Sequence, residues 1–187
     1  MRRLLAAPVL LLRGRRAVEP GETPLPYASA LGLLTAVLLG GALVAVVVVA
    51  VVVPWPWLRT TLLVIGAAAA LSVLASWCAA VVYPHVVGAE QLRLRQGAFG
   101  WQDVPLDAIA RVSRTPRVWR RSGLVSDGED VGYVLNGRTE IEVALGQAVP
   151  LRLRGRTLHP ATVHLAVDQP AAAMQAFGAA LRGRTEP

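Results

Sequence analysis

Two stretches almost free of charge, residues 27–53 and 57–83, constrain this chain more than any other feature; Arg59 is the only charged side chain in either. A bilayer core is crossed by about 20 apolar residues in helical form, whereas a strand in a soluble core usually ends after about 5–6. The first stretch closes on VAVVVVAVVV, residues 44–53, a composition that favours strands in water. In hydrocarbon the backbone has no water to bond and must close its hydrogen bonds internally, so the helix prevails over valine's strand preference. The expectation is two membrane helices over about residues 27–53 and 57–83. The alternative is a helical hairpin buried in a soluble protein.

The segment PWPW, residues 54–57, separates the two stretches. Pro54 lacks an N–H and disfavours helical geometry at the residue before it, so it ends the first helix. Trp55 and Trp57 suit the headgroup layer as interfacial anchors, ring in the apolar zone and N–H toward water. So short a connection makes the helices an antiparallel pair. Gly32, Ala36 and Gly40 recur every four residues on the first helix, as do Ala68, Ser72 and Ser76 on the second. Such rows allow close backbone approach in lipid, within the hairpin or between two copies in a homo-oligomer. Arginine sets the expected orientation: Arg2, Arg3, Arg13, Arg15 and Arg16 precede the hairpin and many follow it, but only Arg59 lies near the turn. The positive-inside rule puts both termini in the cytoplasm of a multi-pass inner-membrane protein.

The first 17 residues, MRRLLAAPVLLLRGRRA, begin like a signal peptide, but arginines follow the apolar run directly with no small-residue cleavage site. An amphipathic lead lying on the inner leaflet is expected. Residues 17–26, with three prolines and a glycine, read as a linker.

Composition narrows the class further. Hydrophobic residues make up 54% of the 187 and the net charge is +7. Every basic residue is arginine, which with the abundant alanine, valine and glycine fits a GC-rich bacterial genome. Such a balance suits nucleic acid or an anionic membrane; no nucleic-acid motif accompanies the arginines, so the lipid bilayer is the expected partner. A single cysteine, Cys78, excludes an internal disulfide and a cysteine metal cage.

Residues 84–187 alternate apolar and polar side chains. Leu92 and Leu94 oppose Arg93 and Arg95; Ile141, Val143 and Leu145 oppose Glu140 and Glu142; Val149, Leu151 and Leu153 oppose Arg152 and Arg154; Val163, Leu165 and Val167 continue the series. Period two with one wet face implies mostly antiparallel strands. Residues 97–100, Gly146 and His159-Pro160 read as turns, and Asn136-Gly137 is a strong hairpin signal. Near the end, Met174, Phe177 and Leu181 form a helical stripe after Pro170, with Asp168 or Gln169 as the expected cap and Arg182 and Arg184 at the C-terminal end. The domain plan is therefore a segment 1–26, a hairpin 27–83 and a β domain 84–187. Residues 113–131 follow no clear strand pattern.

Five to seven antiparallel strands and one amphipathic C-terminal helix is the element order of a pleckstrin-homology-like (PH-like) barrel. EQLRLRQGAFGWQDVPLDAIARV, after a helical hairpin, resembles uncharacterised bacterial, actinobacterial-type two-helix membrane proteins with a cytoplasmic PH-like domain. Leu92, Leu94, Arg95 and Gly97 carry the first part of that likeness; Pro105, Leu106, Asp107, Ile109 and Val112 carry the second. The resemblance implies a fold and no catalytic residues, because the matching positions are core and turn residues.

No catalytic, cofactor or metal constellation is legible. Phosphate-loop, nucleophile-elbow and HExxH patterns are all missing from the sequence. His159 and His164, five apart in or near one strand, fall on opposite faces and read as surface or turn residues; His85 is expected among headgroups. Asp127, Glu129 and Asp130 lack the spacing of a calcium loop and read as a solvated acidic loop. The suggestive segment is RVSRTPRVWRRSG, where Arg111, Arg114, Arg117, Arg120 and Arg121 surround Trp119. Near an anionic leaflet each arginine contributes about 1 kcal/mol, so docking on the membrane or an acidic partner is expected through Arg114, Arg117, Trp119, Arg120 and Arg121. The functional expectation is a non-enzymatic scaffold or accessory interaction module with a protein partner in a membrane complex. The alternatives are a lipid-headgroup sensor and a small subunit of a membrane enzyme or transporter, the latter unsupported by any ionisable residue deep in the spans.

Overall fold

The computed structural model describes residues 11, 18–95, 100–153 and 155–183. The arginine-rich lead apart from Leu11, and with it Gly97, Arg154 and Arg184, lies outside the described residues. The two apolar stretches form helices α1 (Ser29–Val52) and α2 (Pro56–Val82). At 1.5 Å per residue they extend about 36 and 40 Å, beyond the roughly 30 Å of a bilayer core. Pro56 occupies the first turn of α2, where its missing N–H costs nothing, so the reversal itself is only Val53–Trp55. Trp55 and Trp57 stand exposed at this tip.

The helices touch little except each other and the domain at their base. Leu33, Val51 and Leu71 are 75%, 80% and 66% exposed, an arrangement unlike the buried core hairpin of a soluble protein. By length and composition both helices can cross a membrane. All four hydroxyl side chains of α2 are satisfied within the helix: Thr60, Thr61, Ser72 and Ser76 each donate to the carbonyl four residues back, at 2.8–2.9 Å. Such closure satisfies these hydroxyls without water, as hydrocarbon requires.

The small-residue rows do not mediate the helix pairing. Ala36, Gly40, Ala68, Ser72 and Ser76 are exposed, and only Gly32 is partly covered, with Trp77 nearby. The less exposed positions instead run Thr35, Leu39, Ala42 and Val49 on α1, and Leu63, Gly66, Ala70, Val73 and Trp77 on α2. Their three-and-four spacing follows one stripe along each helix, whereas the rows keep a strict spacing of four and drift off the contact.

The linker expectation fails in a consequential way. Thr23–Leu25 is strand β1, paired antiparallel with β2 (His85–Val87), so Thr23 faces Val87 and Leu25 faces His85. The two chain segments leaving the helical hairpin thus zip together at once. The sheet continues through β3 (Gln91–Arg95) and β4 (Trp101–Pro105) in the order β1-β2-β3-β4. Arg93 joins the pre-helix segment to it, meeting Glu22 at 3.2 Å and Asp103 at 3.0 Å.

A 3-10 turn at Leu106–Ala108 leads to β5 (Ile109–Val118), β6 (Gly123–Asp127), β7 (Asp130–Val134) and β8 (Arg138–Leu145). A small ribbon, β9 (Leu151–Leu153) with β10 (Arg156–Leu158), precedes β11 (Thr162–Leu165) and helix α3 (Pro170–Arg182). The second sheet has the order β5-β8-β11-β7-β6, and β11 runs parallel to β7. Most pairing is antiparallel, as alternation implied, but this sheet is not an antiparallel meander. At Asn136-Gly137 the chain reverses with φ of 49° and 73°, and Leu135 and Arg138 exchange both backbone hydrogen bonds. Beyond that pair the strands diverge and β11 enters between them. Residues 113–131, patternless in sequence, supply β6 and parts of β5 and β7. Pro116 falls in the register shift of edge strand β5 between Arg114 and Arg117, where no ladder donor is needed.

Both sheets, the ribbon and α3 bury one core that includes Leu25, Leu92, Leu94, Val104, Ile141, Val143, Leu151, Val163, Leu165 and Phe177. The Leu92/Leu94 and Ile141/Val143 alternations point inward as the sequence implied.

Candidate functional site: the junction of hairpin and β domain

Three contacts seat the helices on the domain. Tyr27, Ala28 and Ala80 form a buried cluster against Leu31 and Leu135. The Tyr27 hydroxyl donates to the Tyr83 carbonyl at 3.4 Å, bridging the two segments that leave the hairpin. Asp168 makes the third: its backbone N–H donates to the Pro26 carbonyl, and its carboxylate accepts the Ser29 N–H at 3.0 Å and the Ser29 hydroxyl at 2.5 Å. The expected cap of α3 therefore caps α1 instead, placing a negative charge at that helix's positive end. Helix α3 starts from Gln169 with no side-chain cap. Asp168→Ala is expected to cost about 1 kcal/mol, the usual worth of such a cap. Thermal unfolding of the intact chain in detergent would measure it.

His85, expected among headgroups, is buried between Tyr27 at 4.7 Å and Tyr133 at 5.5 Å, ring centre to ring centre. Its Nδ1 accepts the Arg95 backbone N–H at 3.0 Å, which leaves the neutral ring's proton on Nε2. Burial, with a smaller contribution from the Arg95 charge, lowers its pKa from 6.5 to about 3. An unfolded chain takes up this proton below about pH 6.5 and the folded chain does not, so acid favours unfolding. Between pH 6.5 and 5 the expected loss is about 2 kcal/mol. Unfolding measured at both pH values checks it; His85→Asn, which keeps an acceptor near the Nδ1 position, should flatten the profile.

The basic segment resolves into parts with different tasks. Arg117 lies within an ion-pair cluster, bonded to Asp130 and to Asp127 at 3.0 Å and 3.2 Å from His164 Nε2. Its guanidinium carbon stands 4.4 Å from the Trp119 ring centre. Trp119 is buried, donates from Nε1 to the Thr139 hydroxyl at 3.0 Å, and meets His164 edge-on at 5.4 Å. Gly132 lies beneath the indole, where a Cβ would come within 2.8 Å of it. Trp119 therefore cannot enter a headgroup layer, and the half-buried Arg117 is committed to partners within the domain. The acidic residues expected to be solvated include the partners of Arg117. His164 is buried, with its pKa lowered chiefly by that burial, while His159 is exposed on its turn.

Arg114, Arg120 and Arg121 remain exposed, with the apolar side chain of Val118 78% exposed beside them. Arg114 lies on edge strand β5, where charge also discourages edge-to-edge pairing. Arg120 and Arg121 sit in the β5–β6 turn, which is held against the Asn136-Gly137 turn by Trp119 N–H to Gly137 carbonyl and Gly137 N–H to Ser122 hydroxyl. Leu135, next to that turn, packs on the base of the hairpin.

A cavity of about 370 Å³ opens at this junction. Leu31 and Leu34 of α1 and Ala79 and Ala80 of α2 form one wall; His85, Arg95, Ser122, Tyr133 and Leu135 of the domain form the other. Sequence reasoning missed it, because its walls come together through long-range contacts, the β1–β2 pairing and the Asp168–Ser29 bonds among them. Among the described residues no group of three or more His, Cys, Asp or Glu side chains could hold a metal ion.

The architecture is thus a helical hairpin able to span a membrane, locked at its base to a two-sheet, mostly antiparallel β domain closed by a C-terminal helix. No family model, curated protein or solved structure matches the chain.

Proposed function

We propose that the protein is a non-enzymatic, multi-pass inner-membrane protein whose PH-like β domain serves as a scaffold or accessory interaction module in a membrane complex, with both termini cytoplasmic. The observation that carries this reading is the double attachment of the domain. Pairing of β1 with β2 and the Asp168–Ser29 cap hold it in one orientation at the helix base. A flexible tether would merely keep a domain nearby, whereas this junction fixes the domain's exposed surface, Arg120 and Arg121 included, relative to the helices. Fixed presentation lowers the ordering cost of binding a partner.

The arginine distribution supports the orientation. A C-terminal fluorescent-protein fusion should light up and a C-terminal phosphatase fusion should stay inactive; the reverse pattern refutes it. For the scaffold itself, particle masses of the purified chain in detergent should show one stoichiometric protein partner. The complex should be lost when Arg120→Glu and Arg121→Glu are combined. Recovery of the chain alone, or a complex indifferent to that charge reversal, contradicts the proposal.

A further inference from the structure

The junction cavity combines features that a packing defect does not require. Its helix side is apolar apart from Ser76, whose hydroxyl is bonded within α2, and Leu34 is 45% exposed, so this wall continues into helix surfaces that would face lipid. Among the described residues that line the cavity, Arg95 carries the one charged side chain, and His85 is held neutral. Tyr133 lines the same space, and its buried hydroxyl has no hydrogen-bond partner among the described residues. A buried hydroxyl left unsatisfied is costly, and a ligand atom that accepts from it removes the cost. Burial raises the pKa of this phenol, so it stays protonated and able to donate. The turn between β5 and β6 reaches the cavity through Ser122. The volume lies within the roughly 300–1,000 Å³ of small-molecule sites.

We propose that this cavity binds one anionic phospholipid entering sideways from the surrounding leaflet, with the upper part of an acyl chain against Leu31, Leu34 and Ala80 and the headgroup region accepting a hydrogen bond from Tyr133 beside Arg95. The site rests on the membrane placement proposed above but not on a protein partner. It would make the lipid a wedge between hairpin and domain, so that lipid composition tunes how firmly the domain is seated.

The test is native mass spectrometry of the intact chain released from nanodiscs of equal phosphatidylglycerol and phosphatidylcholine. One phosphatidylglycerol per chain should survive collisional stripping that removes the other lipids. Ser76→Phe, at the exposed helix position lining the cavity, should abolish this retention. Tyr133→Phe should weaken it at least about tenfold, the worth of one hydrogen bond to a charged group. Because the hydroxyl is unpartnered without ligand, Tyr133→Phe should leave the lipid-stripped protein's melting temperature unlowered, which separates lost binding from lost folding. No retained lipid, equal retention of phosphatidylcholine, or unchanged retention in both variants overturns the proposal. Failure of the chain to enter nanodiscs would instead refute the membrane placement and, with it, this site.

Discussion

Trp119→Ala should destabilise the β domain by about 3–5 kcal/mol, the usual cost of emptying a buried large aromatic site. Against a typical total of about 5–15 kcal/mol this is a severe loss. Three effects act together: the indole leaves a void over Gly132, the Thr139 hydroxyl loses its donor, and Arg117 loses the ring it stacks on. Trp119→Phe keeps much of the apolar volume and forfeits the Nε1–H bond, so it should cost less. Chemical denaturation of the intact chain in detergent measures both. If the ring instead served as a headgroup anchor, Trp119→Ala would leave the midpoint unchanged and weaken membrane docking; the same titration separates the two.

Leu25→Asp should be at least as damaging, about 4 kcal/mol or more, because it removes a buried leucine and places a carboxylate in the core. Leu25 is 2% exposed, pairs with His85 across β1–β2, and belongs to the shared core. Loss should appear in two ways: a lower unfolding midpoint and rapid proteolysis at the Glu19–Pro26 segment, which is held by Arg93 and β2 in the intact protein. Were residues 17–26 a free linker, the substitution would change neither.

Local patterns made much of this fold legible. The charge-free lengths marked α1 and α2 to within a few residues, and alternation at Leu92/Leu94 and Ile141/Val143 identified core-facing strand positions. The Asn136-Gly137 turn was readable from the positive φ that both residues tolerate. Insertion of β11 between β7 and β8 left no local trace, because it depends on pairing across the later chain. Strand β1 was hidden for a similar reason: Thr-Pro-Leu is too short for periodicity, and its partner lies beyond both helices. The basic segment misled because sequence counts arginines without showing which acids they meet. Arg117 finds Asp127 and Asp130 through the β6–β7 hairpin, and Trp119 folds over the second sheet, leaving Arg114, Arg120 and Arg121 outside. The small-residue rows did not mark the contact within the hairpin because a strict spacing of four drifts round the helix, and only the contact itself shows which face is shared.

Alkaline carbonate extraction of membranes from cells expressing the chain tests the central claim most directly, since it strips peripheral proteins and leaves hydrocarbon-embedded helices in place. Retention of the whole chain in the membrane pellet, with release only by detergent, is the expected result. Recovery in the carbonate supernatant would show that α1 and α2 do not reside in a bilayer.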